Sequence, residues 1–348
     1  MIKQRIIEMV NLFREAVRRG ASDIHITMDL PPVFRIHGSL IRAEQPALSR
    51  EEIIFLIQQI TNEEQRRYLS VEGDLEFSLA LAGVGRFRVA IFHHSGFPAL
   101  AVRVISEMIR TIDDLGYPES LKTLARSLRG LILVTGPSGS GKTTTLAAMI
   151  DFINSERCCH IVTLEDPIEY VHQHKKSIVH QRAIPGDSKS FPQALRAVLR
   201  EDPDVILIGE MRDLETIQTA VTAAETGHLV LASLHTGDAP QTIDRIVDVF
   251  SPAQQYQVRV QLAFTLLGII SQQLIPRHNQ LGRVAALEIL VATPAVRNLI
   301  REGKSNQLLS VMQTGRKEGM QSMDTALQEL YLQGIISYQD LRSRVSNS

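Results

Sequence analysis

Residues 131–151 read LILVTGPSGSGKTTTLAAMID, and their pattern indicates the fold class of the half of the chain in which they lie. It begins with the apolar run LILVT, which predicts a strand buried on both faces. A glycine-rich turn, GPSGSG, follows. The residues after the turn contain neither glycine nor proline and predict a helix that begins near Lys142. Strand, glycine-rich turn and helix in this order are typical of a parallel α/β fold.

Three more apolar runs lie downstream, IVTL at 161–164, VILI at 205–208 and LVLASL at 229–234. Helical stretches separate them, and such an alternation predicts a parallel sheet covered by helices on both faces. About the last 100 residues are expected to be mostly helical. Their most apolar stretch, LAFTLLGII at 262–270, is expected to be a buried helix.

Residues 1–110 have a different pattern, which predicts a mixed α+β domain. Helices are expected at 1–20, ended by Gly20, and at 49–70. Strands are expected in DIHITM (23–28), PPVFRIHGSLIRA (31–43), DLEFSLAL (74–81), GRFRVAIFHH (85–94) and PALAVRVI (98–105). Residues 111–120 are polar and contain glycine and proline, so a linker is expected there and a second domain at 121–348.

The glycine-rich turn matches the pattern G-x-x-x-x-G-K-[ST] through Gly136, Gly141, Lys142 and Thr143. In this context the backbone N–H groups surround phosphate oxygens, and the helix N-terminus adds partial positive charge. Lys142 is expected to contact the β- and γ-phosphates, and the Thr143 hydroxyl to bind Mg²⁺. The motif leaves open which base is bound and whether hydrolysis follows. The predicted nucleotide-binding residues are Ser138, Gly139, Ser140, Gly141, Lys142, Thr143 and Thr144.

Polar residues follow three of the other predicted strands directly. Glu165 ends the run IVTL, Glu210 comes just after VILI, and His235 follows LVLASL. Because the carboxyl ends of parallel strands meet at one edge of a sheet, these side chains are expected to lie near the glycine-rich turn. Glu210 is expected to hold Mg²⁺ through water, Glu165 to orient and deprotonate the attacking water, and His235 to sense the γ-phosphate. The alternative is that either acid merely caps a loop.

His228 stands seven residues before His235, at the other end of the same predicted strand. At the rise of an extended strand the two side chains lie roughly 20 Å apart, which is too far for them to bind one metal ion. A purely structural role for His228 therefore remains an alternative to a catalytic one.

Composition limits the classes of partner. The chain has 348 residues and a formal net charge of −1, so it lacks the basic excess that general nucleic-acid binders carry. No run of about 18 apolar residues occurs, and no direct insertion into a membrane is expected. The two cysteines are adjacent, at 158 and 159, and cannot staple a fold, which favours a cytoplasmic location.

Four motifs in this order resemble those of the secretion-type motor ATPases. GPSGSGKTTTLAAMID resembles their Walker A motif, LEDPIEY the Asp box, ALRAVLREDPDVILIGEMRD the Walker B motif, and AAETGHLVLASLHT the His box. The likeness continues through TIDRIVDVF, SQQLIPR and RVAALEIL to GMQSMDTAL, and ASDIHI and PPVFRIHG resemble the start of the family's N-terminal domain. It therefore spans nearly the whole chain.

The resemblance implies an N-terminal PAS-like domain and a RecA-like P-loop ATPase domain with C-terminal helices, assembled as a homohexamer. It implies that Glu165 is the catalytic glutamate, Glu210 the Walker B acid, and His228 and His235 the His-box pair. In such motors arginines of the N-terminal domain reach the phosphates. The candidates in this sequence are Arg86, Arg88 and Arg103.

The branch of the family that this sequence resembles most retracts type IV pili. The resemblance therefore implies a cytoplasmic, membrane-peripheral motor that uses ATP and Mg²⁺. Its implied partners are an inner-membrane pilus platform protein and, indirectly, the pilin fibre, with no nucleic acid. The alternatives are a sister pilus extension or type II secretion ATPase, a RecA-like nucleic-acid motor, and a scaffold that binds ATP without turnover.

The segment TPAVRNLIREG, Thr293–Gly303, predicts one short capped helix. Thr293 is a good N-cap, and Gly303 a good residue just past the end. Val296, Leu299 and Ile300 share the face expected to pack on the domain, which leaves Arg297, Asn298, Arg301 and Glu302 to meet a partner. The resemblance ties this segment to retraction rather than to ATP hydrolysis.

Overall fold

A computed structural model describes residues 8–36, 38–105, 108–278 and 282–345. The chain divides into two compact units, Met1–Met108 and Ile109–Ser348. The first part of the helix expected at 1–20 lies outside the described residues, and the rest forms a helix that ends at Arg18. Within the described part of the chain, no helix is both long and apolar enough to cross a membrane.

The described residues of the first unit form a six-stranded antiparallel sheet with three helices. Its elements are α1 (Met9–Arg18), β1 (Ala21–Ile26), β2 (Val33–Ile36), β3 (Ser39–Arg42), α2 (Arg50–Ile60), α3 (Glu63–Glu72), β4 (Leu75–Leu81), β5 (Gly85–His94) and β6 (Phe97–Ile105). The strand order is β3-β2-β1-β6-β5-β4. Helix α1 buries one apolar face, and its Phe13 ring stacks on Phe87 at 4.2 Å between centroids. The mixed α+β prediction for this part is confirmed.

Two predicted elements of this unit are each divided in the structure. The helix expected at 49–70 is α2 and α3, because Asn62 begins a new helix: its side chain accepts from Gln65 N, and Gln65 Oε1 accepts from Asn62 N. The stretch expected as one strand at 31–43 is the hairpin β2–β3, which turns at Gly38 with φ of 87°. His37 lies outside the described residues.

The second unit is built on a seven-stranded sheet of order β13-β12-β7-β11-β10-β8-β9. Its first elements are α4 (Glu119–Ala125), β7 (Gly130–Thr135), α5 (Lys142–Glu156), β8 (His160–Glu165), β9 (Ile178–Ala183), α6 (Phe191–Val198), β10 (Val205–Ile208), α7 (Leu214–Glu225) and β11 (Leu229–Leu234). The remaining elements are α8 (Ala239–Asp248), α9 (Pro252–Thr265), β12 (Leu266–Pro276), β13 (Arg283–Val291), α10 (Pro294–Arg301), α11 (Leu308–Thr314), α12 (Met323–Leu332) and α13 (Tyr338–Arg342).

All neighbouring strands of this sheet are parallel except β12 and β13. Strands β7, β10 and β11 are buried along their whole length, as their continuous apolar sequences predict. Large buried clusters pack on the sheet, with helices α6, α7 and α8 contributing to one and helices α4 and α5 to another. The predicted α/β fold class is confirmed.

The prediction of a buried helix at 262–270 is wrong. Helix α9 ends at Thr265, and the remaining apolar residues begin β12, which pairs in parallel with β7 over Leu131–Thr135. A short apolar run suits a buried strand as well as a buried helix, so its sequence alone cannot distinguish them. The mostly helical C-terminal region therefore contains an antiparallel pair of strands, β12 and β13, at one side of the sheet.

Residues 111–120, the expected linker, make buried contacts with the second unit. Ile112 is 1% exposed and packs with Leu121 in a core cluster of the second unit. The Tyr117 hydroxyl lies 3.2 Å from Thr145 Oγ1 of helix α5. This segment is therefore packed on the second unit rather than solvated.

Candidate active site

The carboxyl ends of β7, β8, β10 and β11 border one pocket of the second unit. Nine of the residues expected at a nucleotide site line it: Ser138, Gly139, Gly141, Lys142, Thr143, Thr144, Glu165, Glu210 and His235. Ser140, in the same loop, is buried, with 3% of its surface exposed. The geometry therefore brings together residues that are up to about 100 positions apart in sequence, as expected for strand ends of a parallel sheet.

At both ends of the loop between β7 and α5, the space is too small for any residue larger than glycine. A Cβ on Gly136 would lie 2.4 Å from the Gln272 carbonyl oxygen, and one on Gly141 would lie 3.1 Å from Gln272 Nε2. Both glycines also have positive φ, 143° and 91°. Helix α5 begins at Lys142, directly after the loop. The loop and helix N-terminus thus form the tight anion-binding turn that nucleotide phosphates require.

A buried polar pair supports this loop from below. Gln272 of β12 is fully buried, donates from Nε2 to the Ser140 carbonyl oxygen at 2.6 Å, and accepts from Thr145 Oγ1 at 2.8 Å. Sequence reasoning missed Gln272 and Thr145, because β12 was not recognised as a strand. No local sequence signal identifies them, since the Gln272–Ser140 bond joins residues 132 positions apart.

Lys142 lies at the base of the loop. Its ammonium donates to the carbonyl oxygens of Gly136 and Pro137 at 2.9 and 3.1 Å, and it lies 3.3 Å from His235 Nδ1. Burial lowers the pKa of Lys142, whereas the charges of Glu210 and Glu169 oppose that shift. A partly desolvated ammonium directed into an anion-binding turn is suited to contact phosphate oxygens.

Glu165 ends strand β8 and is 6% exposed. Its Oε1 accepts from Thr163 Oγ1 at 2.6 Å and from Gln181 Nε2 at 3.1 Å. Burial raises the pKa of Glu165, and these two hydrogen bonds offset only part of the increase. A carboxylate with a raised pKa is a better base than an ordinary one, so the surroundings of Glu165 suit proton abstraction.

Glu210 follows strand β10 in a more open position, with 19% of its side chain exposed. Its Oε2 accepts from Arg212 at 2.7 Å, and its Oε1 lies 3.1 Å from His235 Nε2. Burial alone would raise the pKa of Glu210. The hydrogen bonds from Arg212 and His235 and the charge of Arg212 outweigh burial, so the net shift of the pKa is downward. Glu210 thus stays ionised, as an acid that holds a cation must.

His235 joins two of these groups. A lysine ammonium can only donate, so a neutral His235 must accept at Nδ1 from Lys142 and donate from Nε2 to Glu210. His228 does not line the pocket: strand β11, with 6 residues, separates it from His235, and its Nδ1 lies 2.9 Å from the Ala223 carbonyl oxygen. The geometry therefore does not support the catalytic role expected for His228 in the pocket of its own chain.

The three candidate arginines belong to the first unit, where acids pair with two of them. Arg103 Nε donates to Asp23 Oδ1 at 3.0 Å, and Arg88 forms an ion pair with Glu76. Arg86 lies opposite Ile105 on the sheet. The pocket lining described above comes entirely from the second unit, so phosphate contacts by these arginines stay a prediction.

Other residues of the lining were not predicted as site residues. Arg212, Arg283, Glu169 and His172 all contribute to it. His172 is 7% exposed, and burial lowers its pKa to about 4, with a smaller opposing effect from Asp151. Arg212 had a signal that could have identified it, since it stands two residues after Glu210. His172 and Arg283 had none, because they reach the pocket only through the packing of distant strands.

The helix expected at 293–303 is present as α10, with Thr293 as N-cap and Val296 and Ile300 buried. The expectation that Arg297 is free to meet a partner is wrong. Its guanidinium donates to the carbonyl oxygens of Ala292, Ala263 and Phe264, at 3.0, 2.5 and 2.7 Å. Two of these carbonyls belong to the last turn of α9, whose acceptors lack helical partners. Arg297 therefore caps α9.

Comparison with known proteins adds to this geometry. The sequence profile of a family described as "Type II/IV secretion system protein" matches residues 2–343. The chain belongs to the type II/IV secretion system protein family. Because the match covers nearly the whole chain, both units are part of this family's architecture.

Relatives within the type II/IV secretion system protein family are similar over most of their length. The "Type IV pilus retractation ATPase PilT" of Pseudomonas aeruginosa is 46% identical, over 97% of this chain and 98% of that protein. The "Twitching motility protein" of Neisseria gonorrhoeae is 49% identical, over 91% of this chain and 85% of that protein. A crystal structure described as the pilus retraction motor PilT with bound ADP shares 48% identity, a TM-score of 0.92 and 98% coverage of each chain.

Proposed function

We propose that this chain is a Mg²⁺-dependent ATPase that powers type IV pilus retraction. One observation carries the ATPase part: a phosphate-binding turn and two carboxylates with opposite pKa shifts border the same pocket. The retraction part is supported by relatives at 46% and 49% identity whose names refer to pilus retraction and twitching motility.

In this proposal each residue of the pocket has one task. The backbone amides of residues 138–143 bind the phosphates, and Lys142 contacts the β- and γ-phosphoryl oxygens. Thr143 and, through water, Glu210 would hold Mg²⁺, which neutralises charge on those oxygens when it is bound. Glu165 takes a proton from the attacking water while the oxygen of that water forms a bond to the γ-phosphorus. The bond from that phosphorus to the bridging oxygen breaks, which releases ADP and inorganic phosphate.

His235 is proposed to sense the γ-phosphate. It contacts both Lys142 and Glu210, so a change in either contact on hydrolysis alters its hydrogen bonds. We further propose that Arg86, Arg88 or Arg103 completes the phosphate site, because charge develops on the γ-phosphoryl oxygens in the transition state. For Arg88 and Arg103 this requires exchange of their present carboxylate partners.

The proposed working form is a homohexamer at the inner face of the cytoplasmic membrane, acting on a pilus platform protein and thereby on the pilin fibre. The exposed face of α10 is proposed to transmit motion. Since Arg297 caps α9, that face consists of Asn298, Arg301 and Glu302. Arg301→Ala is therefore the informative variant, and Arg297→Ala is its contrast, because loss of the α9 cap should destabilise the unit.

The test combines enzymology with pilus observation. The purified full chain should hydrolyse Mg·ATP, with a mass near six chains and no stimulation by DNA. Cells without the gene should keep surface pili that do not retract, and the wild-type gene should restore retraction. The Arg301→Ala variant should hydrolyse ATP but should not restore retraction. Cells that lose their pili altogether would instead identify an extension ATPase. Absence of turnover in the hexamer with platform protein would contradict the motor.

A further inference from the structure

Gln181 of strand β9 connects three parts of the candidate active site. Its Nε2 donates to Glu165 Oε1 at 3.1 Å and to the Tyr170 carbonyl oxygen at 2.8 Å. Its Oε1 accepts from His172 N at 2.8 Å. Gln181 is therefore held by hydrogen bonds at both ends of its amide, and it presents one N–H to the carboxylate in a defined direction.

Thr163 supplies a second donor to the same carboxylate. It lies two residues before Glu165 on strand β8, so both side chains point to the same face of the sheet. Thr163 is fully buried, and its Oγ1 donates to Glu165 Oε1 at 2.6 Å. Thr163 and Gln181 also lie opposite each other in the pairing of β8 with β9. The two donors thus converge on one oxygen from two adjacent strands.

This convergence distinguishes the two oxygens of Glu165. A carboxylate oxygen has two lone pairs in its plane, and both lone pairs of Oε1 are engaged by Thr163 and Gln181. Since Oε1 is saturated by these two donors, the lone pairs that can accept the proton of a water molecule belong to Oε2.

We propose that Thr163 and Gln181 are positioning residues for hydrolysis, which hold the Glu165 carboxylate in one orientation so that Oε2 receives the proton of the attacking water. The inference rests on the proposed function, in which Glu165 is the base. It adds which oxygen reacts and which residues fix it. Misplacement of a catalytic group by about 1 Å can cost up to about a hundredfold in rate, while substrate binding is spared.

Gln181 alone cannot test this idea, because it also holds the chain at Tyr170 and His172. The Tyr170 hydroxyl lies 2.9 Å from Thr144 Oγ1 in helix α5, so loss of Gln181 can disturb the phosphate-binding turn as well. Thr163→Val removes one hydroxyl at nearly constant volume and leaves the Tyr170 segment intact. Thr163→Ser keeps the hydroxyl and is the matched control.

The experiment measures kcat and KM for Mg·ATP on the full-length hexamer, together with the Kd for Mg·ADP by calorimetry. Thr163→Val and Gln181→Met should each lower kcat by at least about tenfold. The Kd of Thr163→Val should stay within about twofold of wild type. Thr163→Ser should recover most of the rate, because its hydroxyl can donate to the same oxygen.

Glu165→Gln separates failure of this inference from failure of the proposed function. If Glu165→Gln is inactive while Thr163→Val keeps wild-type kcat, the positioning role is overturned and the base assignment stands. If Glu165→Gln keeps near-normal turnover, the role of Glu165 as the base is overturned and this inference falls with it, whereas a wild-type hexamer that does not hydrolyse Mg·ATP would overturn the proposed function itself. A Thr163→Ser variant as slow as Thr163→Val, or a loss of Mg·ADP affinity in proportion to kcat in Thr163→Val, would show that Thr163 is only structural.

Discussion

The ends of strands β8 and β10 carry the same side chain in opposite surroundings. Glu165 is 6% exposed and receives hydrogen bonds from the neutral groups of Thr163 and Gln181, and its pKa is raised. Glu210 is more exposed and contacts Arg212 and His235, and its pKa is lowered. The two strands are adjacent and parallel, so the difference arises from the side chains around each acid.

This comparison shows how one pocket can keep two carboxylates for different tasks. Burial among neutral donors disfavours the charged form and makes Glu165 a stronger base. The cationic Arg212 and the hydrogen bond from His235 favour the charged form and keep Glu210 ionised. Titratable groups whose pKa values are moved apart by their surroundings are characteristic of acid–base sites.

The largest effect is expected for Glu165→Gln. A neutral amide cannot accept the proton of water, so kcat should fall by about a hundredfold or more, the usual contribution of a general base. Affinity for Mg·ATP by calorimetry should remain near wild type. Turnover close to wild type would remove the distinction between the two acids.

Glu210→Gln should act through the metal ion. An outer-shell carboxylate typically contributes about 10- to 100-fold to metal affinity, so the Mg²⁺ concentration that gives half-maximal ATPase activity should rise by that factor. Saturating Mg²⁺ should recover most of the turnover. Loss of activity that no Mg²⁺ concentration restores would indicate that Glu210, not Glu165, acts on the water.

Glu288 serves as a reference for Glu165, because it is also a buried carboxylate with a raised pKa but does not line the pocket. It is 3% exposed, and its Oε1 accepts from Ala239 N at 2.9 Å, at the start of α8. Burial is the main cause of its raised pKa. Glu288→Ala leaves that amide unpaired and should destabilise the second unit by about 1–3 kcal/mol in urea unfolding.

Glu288→Gln is the matched control and should cost less, since its amide oxygen can still accept from Ala239 N. The folded state binds the Glu288 proton more tightly than the unfolded state does. The resulting stability is therefore present below the unfolded pKa near 4.5 and is lost as pH rises through the higher folded pKa. Wild type should lose stability relative to Glu288→Gln over that range, and a constant difference would contradict the assignment.

The smallest effect is expected in the pH dependence of kcat. Glu165 must be ionised to accept a proton, and burial raises its pKa above the ordinary value of 4.5. Turnover should therefore decline as pH falls through this raised pKa, at a higher pH than an unperturbed glutamate would give. Glu210, whose pKa is lowered, should contribute no decline in that range. An acid limb at or below pH 4.5 would contradict the proposed base.

Sequence patterns predicted much of the fold and the main residues of the pocket. In a parallel sheet, all strands have their carboxyl ends at the same edge. A residue that directly follows an apolar run can therefore be placed at that edge from sequence alone. Glu165, Glu210 and His235 were predicted by this rule and Lys142 by the glycine-rich motif, and all four line the pocket. The caps of α10 were predicted equally well, because capping depends on residues within one turn.

The glycine-rich turn, the two acids and the alternation of strands and helices could thus be predicted from sequence, since each depends on neighbours in the chain. Three features became evident only in the packed fold: 266–276 is a strand, Gln272 supports the turn, and Arg297 caps α9. The packed fold also decided the different surroundings of Glu165 and Glu210, because Gln181 reaches Glu165 from a neighbouring strand. Contacts between residues far apart in sequence form only when the elements pack, and no local pattern specifies them.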